Sequence, residues 1–270
     1  MKRRDFLQNI SFATLLMADG SILKAADLSK FATRKTVLRF AVASDGHYGQ
    51  KNTTYQAFFD TIVEHINTAH RENPFDFGVI NGDIVHDNID FMPAAKQSLD
   101  NLNIPYYVTQ GNHDHATPAQ WEKVWGMPVN ADVVMKKNVL LFGTTADANG
   151  KYLAPDIQWF TQKLQEHRKA KNIFIFIHIP PIKWTANAVD SPEFQALVKQ
   201  HKNIRAVFHG HEHDQDGIKT QDGIPYLFDS HFGGNWGTEY KGYRVVELLK
   251  DNSILTYIMN PTQKINEAKL

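Results

Sequence analysis

Five short polar motifs, each directly after an apolar run typical of a buried strand, constrain the fold of this 270-residue chain most strongly. In chain order they are Asp45-Gly46-His47, Gly82-Asp83, Gly111-Asn112-His113-Asp114, His178, and Gly210-His211-Glu212-His213. In open α/β sheets, ligands bind at the carboxyl ends of the strands, where loops converge on a crevice. We therefore expect the five motifs to meet at one edge of the fold.

Strand-like and helix-like segments alternate along most of the chain, which predicts an α/β fold. The predicted strands cover residues 37–44, 77–81, 106–110, 139–143, 172–178 and 204–209, and the predicted helices cover 53–70, 92–101, 156–169 and 192–200. After His213, shorter strands at 217–219, 224–229, 243–249 and 253–258 read as an antiparallel meander. Two sheets facing each other with helices outside fit this order, and residues 27–270 are predicted to form a single domain.

The N-terminus has the features of an export signal. A basic start with paired arginines, Lys2-Arg3-Arg4, precedes an apolar run over residues 10–17 and the small residues Ala25 and Ala26. This order predicts a twin-arginine signal over residues 1–26 and an exported, periplasmic protein. An amphipathic N-terminal helix on a cytoplasmic enzyme is the alternative. The apolar run is too short for a permanent membrane anchor.

Composition excludes several chemistries. The 29 lysines and arginines balance 29 aspartates and glutamates, so no strong field would attract nucleic acid or an anionic membrane. The chain contains no cysteine, which excludes disulfides, thiolate metal sites, a cysteine nucleophile and a lipoprotein anchor. Carboxylate, amide and imidazole ligands remain. That set suits two divalent or trivalent ions, with manganese, iron and zinc equally acceptable.

The ordered motifs resemble the signature of the calcineurin-like metallophosphoesterase family. The family pattern is D-x-H, G-D, G-N-H-[DE], a later H and G-H-x-H, and every element is present between residues 45 and 213. The resemblance implies a four-layer αββα sandwich of two mixed sheets, with two metal ions at the strand ends. It also implies hydrolysis of phosphate esters by a hydroxide that bridges the two ions.

The resemblance implies a role for each matching residue. One ion would be bound by Asp45, His47 and His213, the other by Asn112, His178 and His211, with Asp83 bridging them. His113 would act as the general acid or stabilise the transition state at the leaving oxygen. Asp114 is expected to fix its loop.

One departure from the protein-phosphatase pattern lies after Asp83. His86 stands where those relatives have an aspartate, Asp87 follows it, and the neighbouring arginine is missing. We therefore do not expect phosphoproteins as substrates. Our hypothesis is that His86, with His115, helps to bind the phosphate and that Asp87 orients a histidine.

The predicted activity is hydrolysis of a small phosphate ester, with a phosphodiesterase preferred over a phosphomonoesterase. Two alternatives are a non-catalytic metal-binding module on the same fold and a nuclease, the latter disfavoured by the balanced charge. No segment indicates an assembly interface, so the sequence gives no oligomeric state.

The glycine-rich segment 223–237 allows two interpretations. A turn joining two strands explains the glycines and is the one we favour. Alternatively, the segment covers the metal site, with His231, Asn235 and Trp236 selecting the alcohol part of the ester. His209 is read as structural.

Overall fold

The computed structural model describes residues 35–260 and 263–270, together with two short strands, β1 (Leu15–Leu16) and β2 (Ile22–Leu23), which pair antiparallel. Both short strands fall within the predicted export signal. The rest of that signal lies outside the described residues.

Twelve longer strands follow in the described part of the chain. They are β3 (Thr36–Ala43), β4 (Phe77–Asn81), β5 (Tyr106–Thr109), β6 (Ala131–Met135), β7 (Asn138–Gly143), β8 (Asn172–Ile177), β9 (Ile204–His209), β10 (Ile218–Gln221), β11 (Ile224–Phe228), β12 (Tyr243–Leu249), β13 (Ile254–Asn260) and β14 (Gln263–Lys269). The helices are α1 (Tyr55–Glu72), α2 (Met92–Leu99), α3 (Pro118–Trp125), α4 (Ile157–Glu166) and α5 (Pro192–Gln200), with a 3-10 turn at Ile89–Phe91.

The longer strands form two mixed sheets of six strands each. The first sheet has the order β14-β13-β12-β3-β4-β5, with β3, β4 and β5 parallel and β12 to β14 antiparallel. The second has the order β10-β11-β9-β8-β7-β6, parallel in the centre and antiparallel at both edges. The parallel strands of both sheets end on the side where the polar motifs begin.

The sheets face each other across a layer of buried aromatic side chains. Phe40 of β3 stacks on Phe77 of β4 at 4.7 Å and meets Phe174 of β8 edge-on at 5.4 Å. Phe176 and Phe208 of the second sheet stack at 4.9 Å. Rings packed this closely add to the free energy gained by removing their area from water.

Helices cover the outer face of each sheet. Helix α1 buries Phe59, Ile62 and Ile66, spaced three and four residues apart, against the first sheet beside α2 and α3. Helices α4 and α5 bury Phe160 and Phe194 against the second sheet. The predicted four-layer αββα sandwich is therefore confirmed. Within the described residues, no helix is both long enough and apolar enough to cross a membrane.

Most predicted strands lie within one or two residues of their observed bounds. Strands β6 and β14 and helix α3 were not among the predicted elements. Both strands are edge strands: β14 has the polar sequence QKINEAK, and β6, with the sequence ADVVM, is short and only partly buried. Helix α3 begins with a capping box between Thr117 and Gln120 and a proline in its first turn. The prediction used only the alternation of apolar segments and did not consider these local signals.

Candidate metal centre

The five motifs begin at the carboxyl ends of parallel strands in both sheets. Asp45, Asp83 and Asn112 follow β3, β4 and β5, while His178 and His211 follow β8 and β9. Because these strands end at the same edge of the sandwich, residues more than 100 positions apart in the sequence become neighbours.

Asp45, His47 and His213 form the first triad, and all three side chains are buried. The Nε2 atom of His213 lies 3.2 Å from Oδ1 of Asp45 and 3.0 Å from Nε2 of His47. Ligand atoms that each bind one ion at about 2.1 Å, at right angles, stand about 3 Å apart. The spacing of this triad therefore suits a single transition-metal ion.

Asp83, His178 and His211 form the second triad, with ligand atoms all within 4.8 Å of one another. Oδ2 of Asp83 lies 3.2 Å from Nε2 of His178. Nε2 of His178, Nε2 of His211 and Oδ1 of Asn112 are buried without a hydrogen-bond partner. Buried polar atoms normally have partners, and a bound cation would supply one to each of these. The donor set thus fits a metal ion.

Asp83 and Asp45 connect the triads. Oδ2 of Asp83 is 3.9 Å from Nε2 of His47, a member of the first triad, and Oδ1 of Asp45 is 3.7 Å from Nε2 of His178, a member of the second. The other oxygen of Asp83 accepts a hydrogen bond of 2.8 Å from the backbone N–H of His113. The predicted bridging residue therefore lies between the two predicted ligand sets.

The loops that carry these ligands have strained backbones. Asp45, His47, Asp83 and His211 all have positive φ angles, between 47° and 70°. Such conformations cost free energy for residues other than glycine and concentrate at functional sites. Gly82 has φ 84°, and a side chain there would place its Cβ 2.3 Å from Nδ1 of His178. Only glycine allows the chain to pass this close to the histidine ring.

The electrostatics of the centre favour a positive charge between the carboxylates. Burial lowers the pKa of His178, but the charges of Asp83 and Asp45 outweigh burial and raise that pKa to about 10. Burial also favours the neutral carboxyl of Asp83, yet His178 and its neighbours hold the pKa of Asp83 well below its usual range. Burial lowers the pKa of His47, which stays neutral and available as a ligand.

His113 lies beside the triads without belonging to either. Its Nδ1 is 2.6 Å from Oδ1 of Asp87, and its ring stacks on His86 with centroids 4.8 Å apart. Burial lowers the pKa of His113, but Asp83 and Asp87 together raise it above its ordinary value. Nδ1 of His86 is 3.0 Å from Nδ1 of His47, and Nε2 of His115 is 3.7 Å from Oδ1 of Asp87. The aspartate predicted to orient a histidine thus contacts His113.

Asp114 joins two of the ligand loops. Its carboxylate accepts hydrogen bonds from the backbone N–H groups of Ile84, Val85 and Gly111, at 2.8, 3.0 and 2.8 Å. Burial, followed by the charge of Asp83, raises the pKa of Asp114 to about 7. The loops carrying Asp83 and Asn112 are therefore fixed relative to each other.

A buried polar network behind the ligands was not predicted from the sequence. The backbone oxygen of Asn81 accepts hydrogen bonds from Nδ1 of His178 at 2.7 Å and from Oγ of Ser44 at 2.8 Å. The Asn81 amide donates to Asp229 at 3.0 Å, and Nε of Arg244 lies 3.4 Å from the Asp229 carboxylate. One signal was available: Arg244 interrupts the apolar strand β12, and a buried charge requires a partner.

The glycine-rich segment packs directly on the first triad. The indole of Trp236 stacks on the ring of His213 at 4.2 Å, and the N–H of Gly233 donates to the backbone oxygen of Asp45 at 2.9 Å. A side chain at Gly237 would place its Cβ 2.4 Å from Cβ of His213. The segment covers part of the candidate metal centre. It therefore does more than join two strands, the interpretation that the sequence favours.

The sequence profile of the family described as calcineurin-like phosphoesterase matches residues 38–215, about two thirds of the chain. The chain belongs to the calcineurin-like phosphoesterase family. Membership confirms the resemblance inferred from the motifs and supports metal-dependent hydrolysis of phosphate esters as the general activity of this phosphoesterase. No curated protein sequence matches the chain.

Solved structures share the phosphoesterase fold at low sequence identity. A dimetal phosphatase from Danio rerio superposes with a TM-score of 0.68 at 12% identity, covering 87% of this chain and 99% of that one. GAP50, described as the anchor in the inner membrane complex of Plasmodium, gives 0.64 at 15%, covering 87% and 89%. The calcineurin-like phosphoesterase YfkN from Bacillus subtilis gives 0.52 at 14%, covering 86% and 89%. Identities this low show the fold alone.

Proposed function

We propose that this phosphoesterase is a two-metal phosphodiesterase that hydrolyses small phosphate esters. The observation that carries the proposal is the position of Asp83, which lies within 4 Å of a histidine in each triad, 3.9 Å from His47 and 3.2 Å from His178. Two ions held in neighbouring triads form the arrangement used by many phosphoryl-transfer enzymes.

The metal ligands in this proposal are the residues that the motifs predicted. One ion would be held by Asp45, His47 and His213 and the other by Asn112, His178 and His211, with Asp83 available to both. When bound, two such ions offset the charge of the phosphoryl oxygens and lower the pKa of the attacking water. Manganese, iron and zinc all suit these ligands.

His113 supplies the proton for the leaving alcohol in this proposal. Asp87 accepts from Nδ1 of His113 at 2.6 Å, which leaves Nε2 as the atom that can donate to an ester oxygen. Burial lowers the pKa of His113, but Asp83 and Asp87 raise it above its ordinary value, which favours the protonated ring that a proton donor requires. In the same proposal His86 and His115 flank the phosphate.

The charges around the centre support a diester over a monoester. Among residues 35–260 and 263–270, no lysine or arginine forms an ion pair with Asp45, Asp83 or Asp87; their charged partners are histidines. A phosphate monoester carries nearly two negative charges at neutral pH because its second pKa is about 6. A diester carries one. A centre whose aspartates pair with histidines rather than with lysine or arginine carries fewer permanent positive charges, and is better matched to the single charge of a diester.

The test compares hydrolysis of bis-p-nitrophenyl phosphate and p-nitrophenyl phosphate by the full chain, with added manganese and after treatment with EDTA. We expect manganese-dependent cleavage of both esters, with a higher kcat/KM for the diester. Monoester preference would overturn the diester assignment. Metal binding without hydrolysis of either ester would favour a non-catalytic module, and faster cleavage of DNA or RNA would favour a nuclease.

The balanced overall charge supports a small-molecule substrate over nucleic acid.

We also propose that residues 1–26 direct export by the twin-arginine route. Expression with a C-terminal tag and cell fractionation would test export, with Arg3→Lys and Arg4→Lys together expected to retain the protein in the cytoplasm. A periplasmic double variant would contradict the twin-arginine assignment.

A further inference from the structure

Two exposed aromatic rings lie against the candidate metal ligands. In the part of the chain that the structure describes, four large apolar side chains are exposed, namely Val37, Val134, Tyr152 and Trp236. Two of the four contact histidines of the metal centre. Exposed apolar surface that is rimmed by polar groups commonly marks a binding site.

Trp236 contacts the first triad. Its side chain is 43% exposed, although one face of the indole is parallel to the ring of His213, with an interplanar angle of 14°. The indole centroid is also 4.8 Å from that of His47. Part of the ring therefore remains open to solvent directly beside the residues that would hold the first ion.

The loop that presents Trp236 is held by backbone hydrogen bonds. Thr238 N–H donates to the backbone oxygen of His213 at 3.0 Å, and Gly242 N–H donates to the backbone oxygen of His231 at 2.9 Å. Nδ1 of His231 lies 2.6 Å from the backbone oxygen of Gly233. A ring fixed in this way loses little conformational entropy when it contacts a ligand.

Tyr152 contacts the second triad. Its side chain is 40% exposed, and its ring meets the ring of His211 edge-on with centroids 4.8 Å apart. Its backbone is fixed by a bridge to Ala146 and by the hydrogen bond from Leu153 N–H to Thr145 oxygen. The two triads thus each carry one exposed aromatic ring.

We propose that Trp236 and Tyr152, one beside each triad, provide contact surfaces for a flat aryl or heteroaryl group attached to the phosphorus of the substrate. This inference rests on the proposed function, since the phosphoryl group must be held by the metal centre for its substituent to reach the rings. Aromatic rings attract one another in stacked or edge-on arrangements. An alkyl group at the same position would gain less binding free energy from contact with these aromatic rings.

The test measures binding of phenylphosphonate and methylphosphonate to the manganese-loaded full chain by isothermal titration calorimetry. Both ligands carry the same phosphonate group and neither contains an ester bond, so the comparison does not depend on turnover. We expect phenylphosphonate to bind roughly tenfold more tightly, a ratio that corresponds to about 1.4 kcal/mol. Trp236→Ala should reduce that ratio to about 2, Tyr152→Ala should reduce it less, and Trp236→Phe should keep most of it. These ratios follow from the attraction between stacked and edge-on aromatic rings.

Val134→Ala is the matched control, because Val134 is also exposed but lies on the edge strand β6 and is absent from the contacts of the metal centre. A ratio that stays near ten in both Trp236→Ala and Tyr152→Ala would overturn the subsite. Equal weakening of both phosphonates with loss of bound manganese would also overturn it, because Trp236 would then act only as a support for His213.

The two proposals fail in different ways. A wild-type protein that prefers phenylphosphonate yet hydrolyses no phosphate ester keeps the subsite and loses the proposed activity. A protein that hydrolyses esters but binds both phosphonates equally keeps the activity and loses the subsite. Binding of neither phosphonate would overturn the subsite, and the ester assay would still decide the proposed activity.

Discussion

The two halves of the candidate metal centre are supported in different ways. In the first triad, the rings of His47 and His213 rest on loop residues. Nδ1 of His86 lies 3.0 Å from Nδ1 of His47, and Trp236 stacks on His213 at 4.2 Å with its backbone oxygen 3.3 Å from Nδ1 of that histidine. In the second, Nδ1 of His178 contacts a backbone oxygen, that of Asn81, at 2.7 Å. Loop residues support the first half, and the end of a central strand supports the second.

This difference predicts how easily each half can be altered. Asn81 is the last residue of β4, which is paired on both sides in the sheet, so its carbonyl cannot move without disturbing the fold. His86 and Trp236 belong to loops whose side chains can be changed while the backbone is kept. Partners that orient a ligand commonly change metal affinity or activity by about 10–100-fold when they are removed.

Asp83→Asn should have the largest effect, because Asp83 contacts both halves of the metal centre and its replacement should impair both. Loss of its negative charge removes the attraction for both ions, so we expect less than one bound metal per chain and hydrolysis at the background rate. Elemental analysis and the diester assay measure both quantities. Asp90→Asn, an exposed carboxylate outside the triads, is the control. Full occupancy of one site in Asp83→Asn would show that the triads are independent.

Asp229→Asn should have the next largest effect and should act on the second half. Burial raises the pKa of Asp229 to about 8, so above that pH the variant removes the counter-ion of Arg244, a residue with no exposed surface, and leaves its charge without an ionised partner. Breaking such a pair costs about 3–5 kcal/mol of unfolding free energy. It also removes an acceptor from the Asn81 amide, so metal binding at His178 should weaken as well.

The exposed ion pair between Lys96 and Asp100 supplies the contrast for that measurement. Asp100→Asn should cost less than about 1 kcal/mol in the same urea unfolding experiment, since exposed pairs contribute little. Similar losses in the two variants would mean that the network behind the metal centre does not stabilise the fold.

The fold was readable from sequence where strands are buried on both faces. Central strands such as β7 and β8 are nearly continuous apolar runs, and those runs gave their bounds to within a residue. Strand β14 lies at the edge of its sheet, where one side is not paired with another strand. Its sequence is largely polar, so no apolar run indicates it.

The candidate ligands were readable because each one lies in a short motif at a strand end. Their supports were not, because partners such as Asn81 and Asp229 are separated by 148 positions and share no motif. The sequence makes Trp236 a candidate contact for the substrate, but glycine-rich turns are common. Nothing in the local sequence indicates that the indole of Trp236 packs on His213. Long-range packing determines these contacts, and a single sequence does not encode it locally.

His86→Ala should alter the first half alone. Without the ring beside Nδ1 of His47, that ligand loses an orienting contact, and we expect one of the two ions to bind about 10–100-fold more weakly while the other keeps its affinity. Titration calorimetry with manganese would resolve the two binding steps. His201→Ala, at the C-terminal end of α5, is the control. An unchanged metal affinity with a raised KM would leave His86 with the proposed phosphate contact alone, and an unchanged rate on every ester would exclude both roles.

Asp87→Asn should have the smallest effect, a shift in the pH dependence of turnover. Asp83 and Asp87 raise the pKa of His113, so its protonated form persists to higher pH than that of an ordinary histidine. Loss of the Asp87 charge lowers this pKa, and the alkaline fall in kcat should therefore move to lower pH. The shift should be clear with a phenyl ester and weak with a p-nitrophenyl ester, because p-nitrophenolate leaves without needing a proton. An alkaline limb that stays in place with the phenyl ester would mean that His113 is not the proton donor. The pair of Asp87 and His113 beside the first half of the centre would then have a purely structural role.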